Sequence, residues 1–466
     1  QLICSHRGAG ESMREPFDRV RRERLLDAIP GLAYRSPDCS PDEPVAISTG
    51  VQRLLRDLDE LPMPHTALRL LEPPHRADGL SDPGLAKSWI EGRGRRLVLP
   101  VVITHGCTFR CDFCPIPAYN QQTWRHKSPE RVVEEFRDAV ETLGIRYFFG
   151  TDDNFFARRE TVEKIFEATS KARIGGRRFR GKVRFWTEAT EADVYRNRDL
   201  LPLCSDGGLR AIWFGIEDLH VGMVNKGQSA EKTQMLFREL RRHDIQAHVM
   251  MIHHDDQPLS SPGDLRGVTN QARFVYDAGA VSYQCTYLSS LVGSRLFEKA
   301  ITGGTHIHRV AGRQVPEAYW DGNHITATQR DDVWKRQLHL LAAYASFYNP
   351  KHLLASLREY GRDSTGRYRV ATQILGMYGL VLTAVKTARW IWQLKRGPVE
   401  KVSQWPRHPV RLVDAHTGQE VSWAVDDRVV APARPSASEP ASSQPLAAGS
   451  TSGREDRFAT AVAARE

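Results

Sequence analysis

Between Leu97 and Tyr287 the chain repeats one pattern: a short apolar, β-branched run followed by a stretch with helical apolar spacing. LVLPVVIT (97–104) reads as a buried parallel strand. Ser128-Pro129 then opens a helix, with serine at the N-cap and proline in the first turn. Its apolar face is Val132, Val133, Phe136, Val140 and Leu143, and Gly144 ends it. Further strands at 145–150, 182–187, 209–214, 245–252 and 280–287 alternate with helices near 158–172, 191–203, Ser229–His243 and one opened by Ser261-Pro262. Right-handed crossovers between such runs predict six parallel strands with helices on the outside. A barrel-like sheet of this kind carries its chemistry at the C-terminal ends of the strands.

Polar residues gather at those ends, and the first cluster is the most informative. GCTFRCDFCP (106–115) packs three of the chain's seven cysteines into eight positions. A disulfide knot, a structural zinc site, three buried thiols and an iron-sulfur cluster all use such a triplet. Cysteine is sparse and odd in number, and no signal-peptide pattern opens the chain, so a reducing cytoplasm is expected and a disulfide framework is not. Closed zinc sites need a fourth ligand; no second CxxC follows Cys114, which leaves His105 and His126 as the nearest candidates. Thr108, Arg110 and Asp112 are too polar for a core strand.

The spacing Cys107-x3-Cys111-x2-Cys114, with Phe113 before the last cysteine, resembles the signature of the radical S-adenosylmethionine (SAM) superfamily. That resemblance implies a partial (β/α)6 TIM-like barrel of α/β class. It implies that Cys107, Cys111 and Cys114 hold three irons of a 4Fe-4S cluster, with the fourth iron open to SAM. It also implies reductive cleavage of SAM to a 5'-deoxyadenosyl radical, with an electron donor such as flavodoxin or ferredoxin. Phe113 is then a cofactor neighbour. Asp152 and Asp153 in GTDDNFF match an acidic motif that receives the SAM amino group, or else they cap a helix. Glu217 in GIEDLHVGMVNKG matches an element near the SAM ribose or amino-acid end, with Lys226 assisting. Glu188, His253 and His254 follow other strands and face the same mouth, as ligand contacts or as structural residues. LSSLVGSRLFEKA (288–300) is similar to the loop that closes these barrels, with Val292 where proline is usual.

The flanks refine the class. Residues 1–85 contain HRGAGES, IPGLAYR and DLDELPMP, which resemble the end of the cobalamin-binding module and linker of one radical SAM class. A whole module needs roughly 120 residues, and the chain starts at Gln1, so a truncated remnant is expected. DAHTGQ (414–419) lacks the last glycine of a cobalamin DxHxxG signature, which makes His416 a turn residue. The expected organisation is this remnant, a radical SAM core over 86–305, a helical region over 306–400, a short hairpin over 401–430, and a disordered Ala/Ser/Pro/Gly-rich tail over 431–466.

Within the helical region, residues 371–385 are uncharged and flanked by Arg367, Arg369, Lys386 and Arg389, with Trp390 and Trp392 beyond. At about 20 apolar residues for a span, the stretch is too short to cross a membrane. It reads as a core or interdomain helix, or as a helix lying on an anionic membrane. The net charge of +9 fits an anionic partner or simple solubility, and scattered arginines without interleaved aromatics argue against nucleic acid. The implied class favours methyl transfer from methylcobalamin to an unreactive carbon of a small or lipid-like substrate. Two alternatives stand beside it. A methylthiotransferase would need a second cysteine triplet that Cys4 and Cys39 cannot supply, and a non-catalytic iron-sulfur or zinc protein would bind without turnover.

Overall fold

The computed structural model describes residues 2–63 apart from Arg7, Ala9, Met13, Pro41 and Arg53, then Thr66, 98–220, 226–404 and 410–421. The expected tail over 431–466 and most of the segment joining the amino-terminal part to the sheet lie outside these residues, as do Val221 to Asn225 of the fourth-strand motif.

Six strands form one sheet: β1 (Val98–Val101), β2 (Tyr147–Gly150), β3 (Arg184–Ala189), β4 (Leu209–Glu217), β5 (Gln246–His253) and β6 (Ser282–Tyr287). They lie in sequence order across the sheet and every neighbouring pair is parallel, giving the predicted half-barrel. Helices α1 (Pro129–Leu143), α2 (Arg159–Lys171), α3 (Glu191–Arg196), α4 (Leu201–Asp206), α5 (Ala230–Arg242), α6 (Val268–Ala278) and α7 (Arg295–Thr302) follow the strands. The predicted cap of α1 is present: Ser128 Oγ accepts from the Arg131 N–H at 3.1 Å, and Gly144 takes a left-handed φ of 69°.

The core lies between the sheet and these helices. Phe136 of α1 meets Phe148 edge-on at 4.6 Å, with Phe185 at 5.5 Å and Phe179 at 5.7 Å. Each such buried ring contributes about 1.5–3 kcal/mol of transfer free energy. The open edge at β6 is covered by two tyrosines of α8 (Val333–Phe347) and its C-cap. Tyr344 Oη donates to the Cys285 carbonyl and accepts from its N–H, and Tyr348 Oη does the same at Tyr283. These hydroxyls satisfy edge groups that would otherwise invite another strand.

Several expectations need correction. Ser261-Pro262 does not open a helix; Gly263 at φ 77° makes a turn there, and α6 starts seven residues after Ser261, at Val268. The carboxy-terminal hairpin turns at residues 414–419, where Val413 bridges Glu420, with most of its second arm outside the described residues, and its first arm also joins a larger sheet. Arg411–Asp414 pairs parallel with Val45–Ser48, which pairs in turn with Ala33–Arg35, so the amino- and carboxy-terminal segments share one sheet. Val399–Val402 pairs with His306–Val310, which ties the helical region's start to its end. His416 lies in a turn closed by Asp414, as expected.

The helical region consists of α8, α9 (Pro350–Glu359) and the 33-residue α10 (Ser364–Arg396). The face of α10 that packs inward carries Arg369, Val370, Gln373, Thr387, Trp390 and Leu394. Residues 371–385 therefore do not form a core helix: Ile374, Leu375, Tyr378, Val381, Leu382 and Val385 point outward, with Leu375 66% and Val385 70% exposed. Among the described residues, α10 is the one helix long and apolar enough to cross a membrane by length and composition alone.

Candidate active site

The cysteine loop is held by its neighbours rather than by regular structure. Thr104–Gly106 and Trp124–His126 form a two-stranded ribbon whose loop carries all three cysteines. Gly106, at φ 102°, has the Thr123 carbonyl oxygen 1.9 Å from where a Cβ would stand, so only glycine fits there. Asp153 ties the loop down: its carboxylate accepts from the Gly106 N–H at 2.7 Å, the Asn120 amide at 3.1 Å and the Tyr119 hydroxyl at 3.1 Å. Arg125 donates to the Asn120 side-chain Oδ1 at 3.0 Å and to the Leu55 backbone carbonyl, which straps the amino-terminal segment to the same loop. From the far side of the sheet, the Leu296 N–H reaches the Asp112 carbonyl at 2.8 Å, and Lys299 pairs with the Asp112 carboxylate. A cleft opens beside Cys111 and Cys114, walled by Pro117, Gln122, Gly293 and Ser294.

Asp152 has a different environment from Asp153. It is fully buried and saturated by four donors: the Ile103 and Thr104 N–H groups, the Thr104 hydroxyl and the Thr187 hydroxyl. Burial still pushes its carboxyl up to about 6. Asp152 thus links the end of β1 to β3, and Asp153 the end of β2 to the cysteine loop. Neither carboxylate caps a helix, because Asn154, not an aspartate, precedes the short 3-10 turn at Phe155–Ala157.

The thiols of Cys107, Cys111 and Cys114 are half-buried, and burial raises all three, Cys114 to about 11. Each pair among the three interacts electrostatically, and the Phe109 and Ile116 N–H groups point at Cys107 and Cys114. Such thiols stay protonated until a metal displaces the proton. Among the described residues, no set of three or more His, Cys, Asp or Glu converges on a single ion. His105 Nδ1 is engaged by Arg125 and His126 Nδ1 by the Lys127 carbonyl, and neither ring joins the thiols in a set that could hold one ion among the described residues. Three neighbouring thiols that do not share one ion suit a polynuclear cluster taking one thiolate per iron.

Beside the thiols sits a buried ion pair. Lys226 Nζ lies 3.0 Å from Glu217 Oε1, with both side chains about one-tenth exposed. Burial disfavours the ammonium, yet Glu217 and the adjacent thiols outweigh it and hold Lys226 above the ordinary lysine value. Glu217 adopts φ 65°, a left-handed conformation that costs a non-glycine residue on the order of 1 kcal/mol. It follows an irregularity in β4, and Gly215 makes room for it: a Cβ there would lie 2.7 Å from Glu217 Oε1. The strain aims a carboxylate back over the mouth of the sheet.

The remaining residues divide. Phe113 is half-buried within the loop, whereas the ring that Lys226 approaches, at 5.9 Å, is that of Phe109. Glu188 is half-buried, has no hydrogen-bond partner among the described residues, and is pushed up to about 7 by burial and then by Asp152 and Asp153. His253 is buried between Gln257 and His339, and His254 pairs with Asp218 at 3.3 Å, so both are engaged in rim contacts. Asp112, Asn120, Tyr119 and Thr187 were not anticipated. The positive φ of Glu217 and the long-range partners of these four have no local sequence signal.

Residues 101–259 match the Radical SAM superfamily. Over 362 residues the chain is 24% identical to the uncharacterized methyltransferase PH0819 of Pyrococcus horikoshii, covering 76% of this chain and 69% of that protein. It is also 24% identical over 155 residues to the bacteriochlorophyllide d C-12(1)-methyltransferase of Chlorobaculum tepidum, 32% of each chain. The solved structure of OxsB, a cobalamin-dependent S-adenosylmethionine radical enzyme, aligns with a TM-score of 0.48 at 13% identity over 84% of this chain and 59% of that one. The chain thus spans less than two thirds of the second relative and of this solved structure. The family match, the cysteine triplet within it and the six-stranded half-barrel around it agree: residues 101–259 form a radical SAM domain, the core of an enzyme.

Proposed function

We propose that the chain is a cobalamin-dependent radical SAM methyltransferase whose cluster is held by Cys107, Cys111 and Cys114. The observation that carries the reading is the placement of three partly buried, mutually interacting thiols next to the strained Glu217 and its Lys226 partner. When bound, a reduced 4Fe-4S cluster supplies the electron that splits SAM into methionine and a 5'-deoxyadenosyl radical. The chain's own residues orient and shield. Asp153, Asn120 and Gly106 fix the loop, Lys226 places a positive charge against the thiolates, and Glu217 offers a carboxylate to the SAM amino or ribose groups. Asp152 positions β1 and β3, and Glu188 lies deeper in the mouth as a ligand contact. Methyl transfer and cobalamin are favoured by the names of the similar proteins, and a flavodoxin- or ferredoxin-type donor supplies the electron.

Anaerobic reconstitution followed by dithionite and SAM tests this. Release of 5'-deoxyadenosine is expected, and cobalamin added to the same sample should be retained through gel filtration. Absence of 5'-deoxyadenosine from protein with full iron and sulfide content would defeat the enzymatic reading.

The outward face of α10 favours a peripheral position on an anionic membrane. Six exposed apolar side chains lie along it, with Arg367, Arg389, Lys395 and Arg396 exposed near its two ends. Apolar burial with basic flanks is what binds such a helix to an acidic lipid surface. Co-flotation with phosphatidylglycerol vesicles but not phosphatidylcholine vesicles is expected; co-flotation with neither would remove this position.

A further inference from the structure

The concave face of the sheet carries a group of rings that the cysteine loop does not use. Among the residues facing away from the helices, Tyr147 and Phe149 on β2, Trp186 and Glu188 on β3, Trp213 on β4 and His248 on β5 are half-buried, with Arg184 exposed at the outer start of β3 beside Tyr147. Their chain neighbours Phe148, Phe185, Phe214 and Val249 lie in the core on the other face. The parallel register sets Phe149 beside Trp186, and Trp213 between Glu188 and His248. The Trp213 indole lies flat against His248, with centroids 4.8 Å apart and planes 13° apart, while Phe149 meets it edge-on at 6.4 Å. Tyr147 tilts onto Trp186 at 6.2 Å. Rings left partly open inside a concavity, arranged flat and edge-on, favour a flat conjugated guest over a flexible one.

The position is as informative as the composition. Trp213 precedes Gly215 by two residues on the same face, one strand repeat of about 7 Å. Gly215 lies directly against the Glu217–Lys226 pair. The ring floor is therefore one rung below the charged pair that borders the thiols. Its polar groups are few. His248 shares a 2.6 Å hydrogen bond with Ser282, and Glu188 is the one acidic group on this rung, with no hydrogen-bond or ion-pair partner among the described residues. The rung of Glu188, Trp213, His248 and Ser282 holds no cation, so an anionic group would find no positive partner there and would face the Glu188 carboxyl.

We infer that this face binds a planar, conjugated ring compound, neutral or cationic, that presents an N–H donor to Glu188. A lipid chain gains nothing from stacked rings, and a phosphate or carboxylate finds no positive partner on the rung. This names the substrate class for the methyltransferase reading and rests on it for turnover, while binding itself is independent of turnover.

Equilibrium dialysis of the full chain, as purified and after cluster reconstitution with SAM present, provides the test with indole, 1-methylindole and decanoate as probes. Indole is expected to bind at least tenfold more tightly than 1-methylindole, and decanoate is expected not to displace it. Glu188→Leu should bring the two indoles to equal affinity, and Trp213→Leu should weaken indole at least tenfold where Trp213→Phe weakens it about threefold or less. Equal binding of the two indoles by the unaltered chain, or displacement of indole by decanoate, would overturn the inference without recourse to any variant. Intact indole selectivity without 5'-deoxyadenosine release removes the radical reading alone; 5'-deoxyadenosine release without selectivity removes this site alone.

Discussion

Glu188→Gln should stabilise the protein far more at pH 8 than at pH 5. The carboxyl is half-buried, has no hydrogen-bond partner among the described residues, and is raised from 4.5 to about 7 by burial first and by Asp152 and Asp153 next. Between those two values the folded state binds a proton that the unfolded chain releases, so stability falls as pH rises through the window and the whole loss is present above 7. A displacement of that size corresponds to about 3 kcal/mol, since each pH unit of difference is worth about 1.4 kcal/mol. Glutamine has the same shape and no charge to desolvate, and the side chain it replaces makes no hydrogen bond that would be lost. With an unfolding entropy of about 2.1 cal/mol/K per residue, a gain of about 3 kcal/mol moves the melting midpoint of a chain this size up by about 3 °C. Differential scanning calorimetry of both proteins at pH 5 and pH 8 reads this directly. Equal midpoint differences at the two pH values, or a variant that melts lower at pH 8, would refute the assignment of Glu188 as an unpartnered carboxylate. A group that lowers stability in the empty protein and faces an open mouth is what a binding role requires.

Gly106→Ala places a Cβ against a backbone oxygen at a left-handed position, and should at least halve the iron retained after reconstitution; full iron content would show that the ribbon relaxes freely. Lys226→Gln leaves Glu217 buried without a counter-ion and should lower stability by about 3 kcal/mol, with Lys226→Arg recovering most of it; an unchanged melting curve for the glutamine variant would mean the pair is solvated. Asp153→Ala removes the acceptor of three hydrogen bonds and should destabilise the cysteine loop by about 2–3 kcal/mol. That loss should appear as faster amide exchange over residues 104–126, and exchange matching the unaltered chain would contradict it.

The half-barrel was legible because its information is local. Each strand carries its own apolar run, and α1 declares both ends through Ser128 and Gly144. The cysteine triplet is equally local, since one loop supplies all three thiols. What escaped the sequence depends on contacts across tens or hundreds of residues. Asp152 and Asp153 are adjacent in the chain, yet one is consumed by Thr104 and Thr187 while the other clamps Gly106, and only the sheet order separates those roles. Ser261-Pro262 carries a genuine helix-start signal, and Gly263 overrides it by turning the chain first. The apolar run of α10 reads as core because burial is the usual fate of such a segment, but the inward face is set by Arg369, Gln373 and Trp390, which bond or pack to α6, α8 and their connecting loops. Strand pairing between 45–48 and 411–414 joins residues so far apart that no local pattern announces it.

Low-temperature electron paramagnetic resonance of the anaerobically reconstituted, dithionite-reduced chain, with and without SAM and beside the Cys111→Ala variant, tests the three-thiolate site most directly. The expected result is a 4Fe-4S signal that shifts when SAM is added and is absent from the variant. A signal indifferent to SAM, or one that survives loss of Cys111, would contradict it.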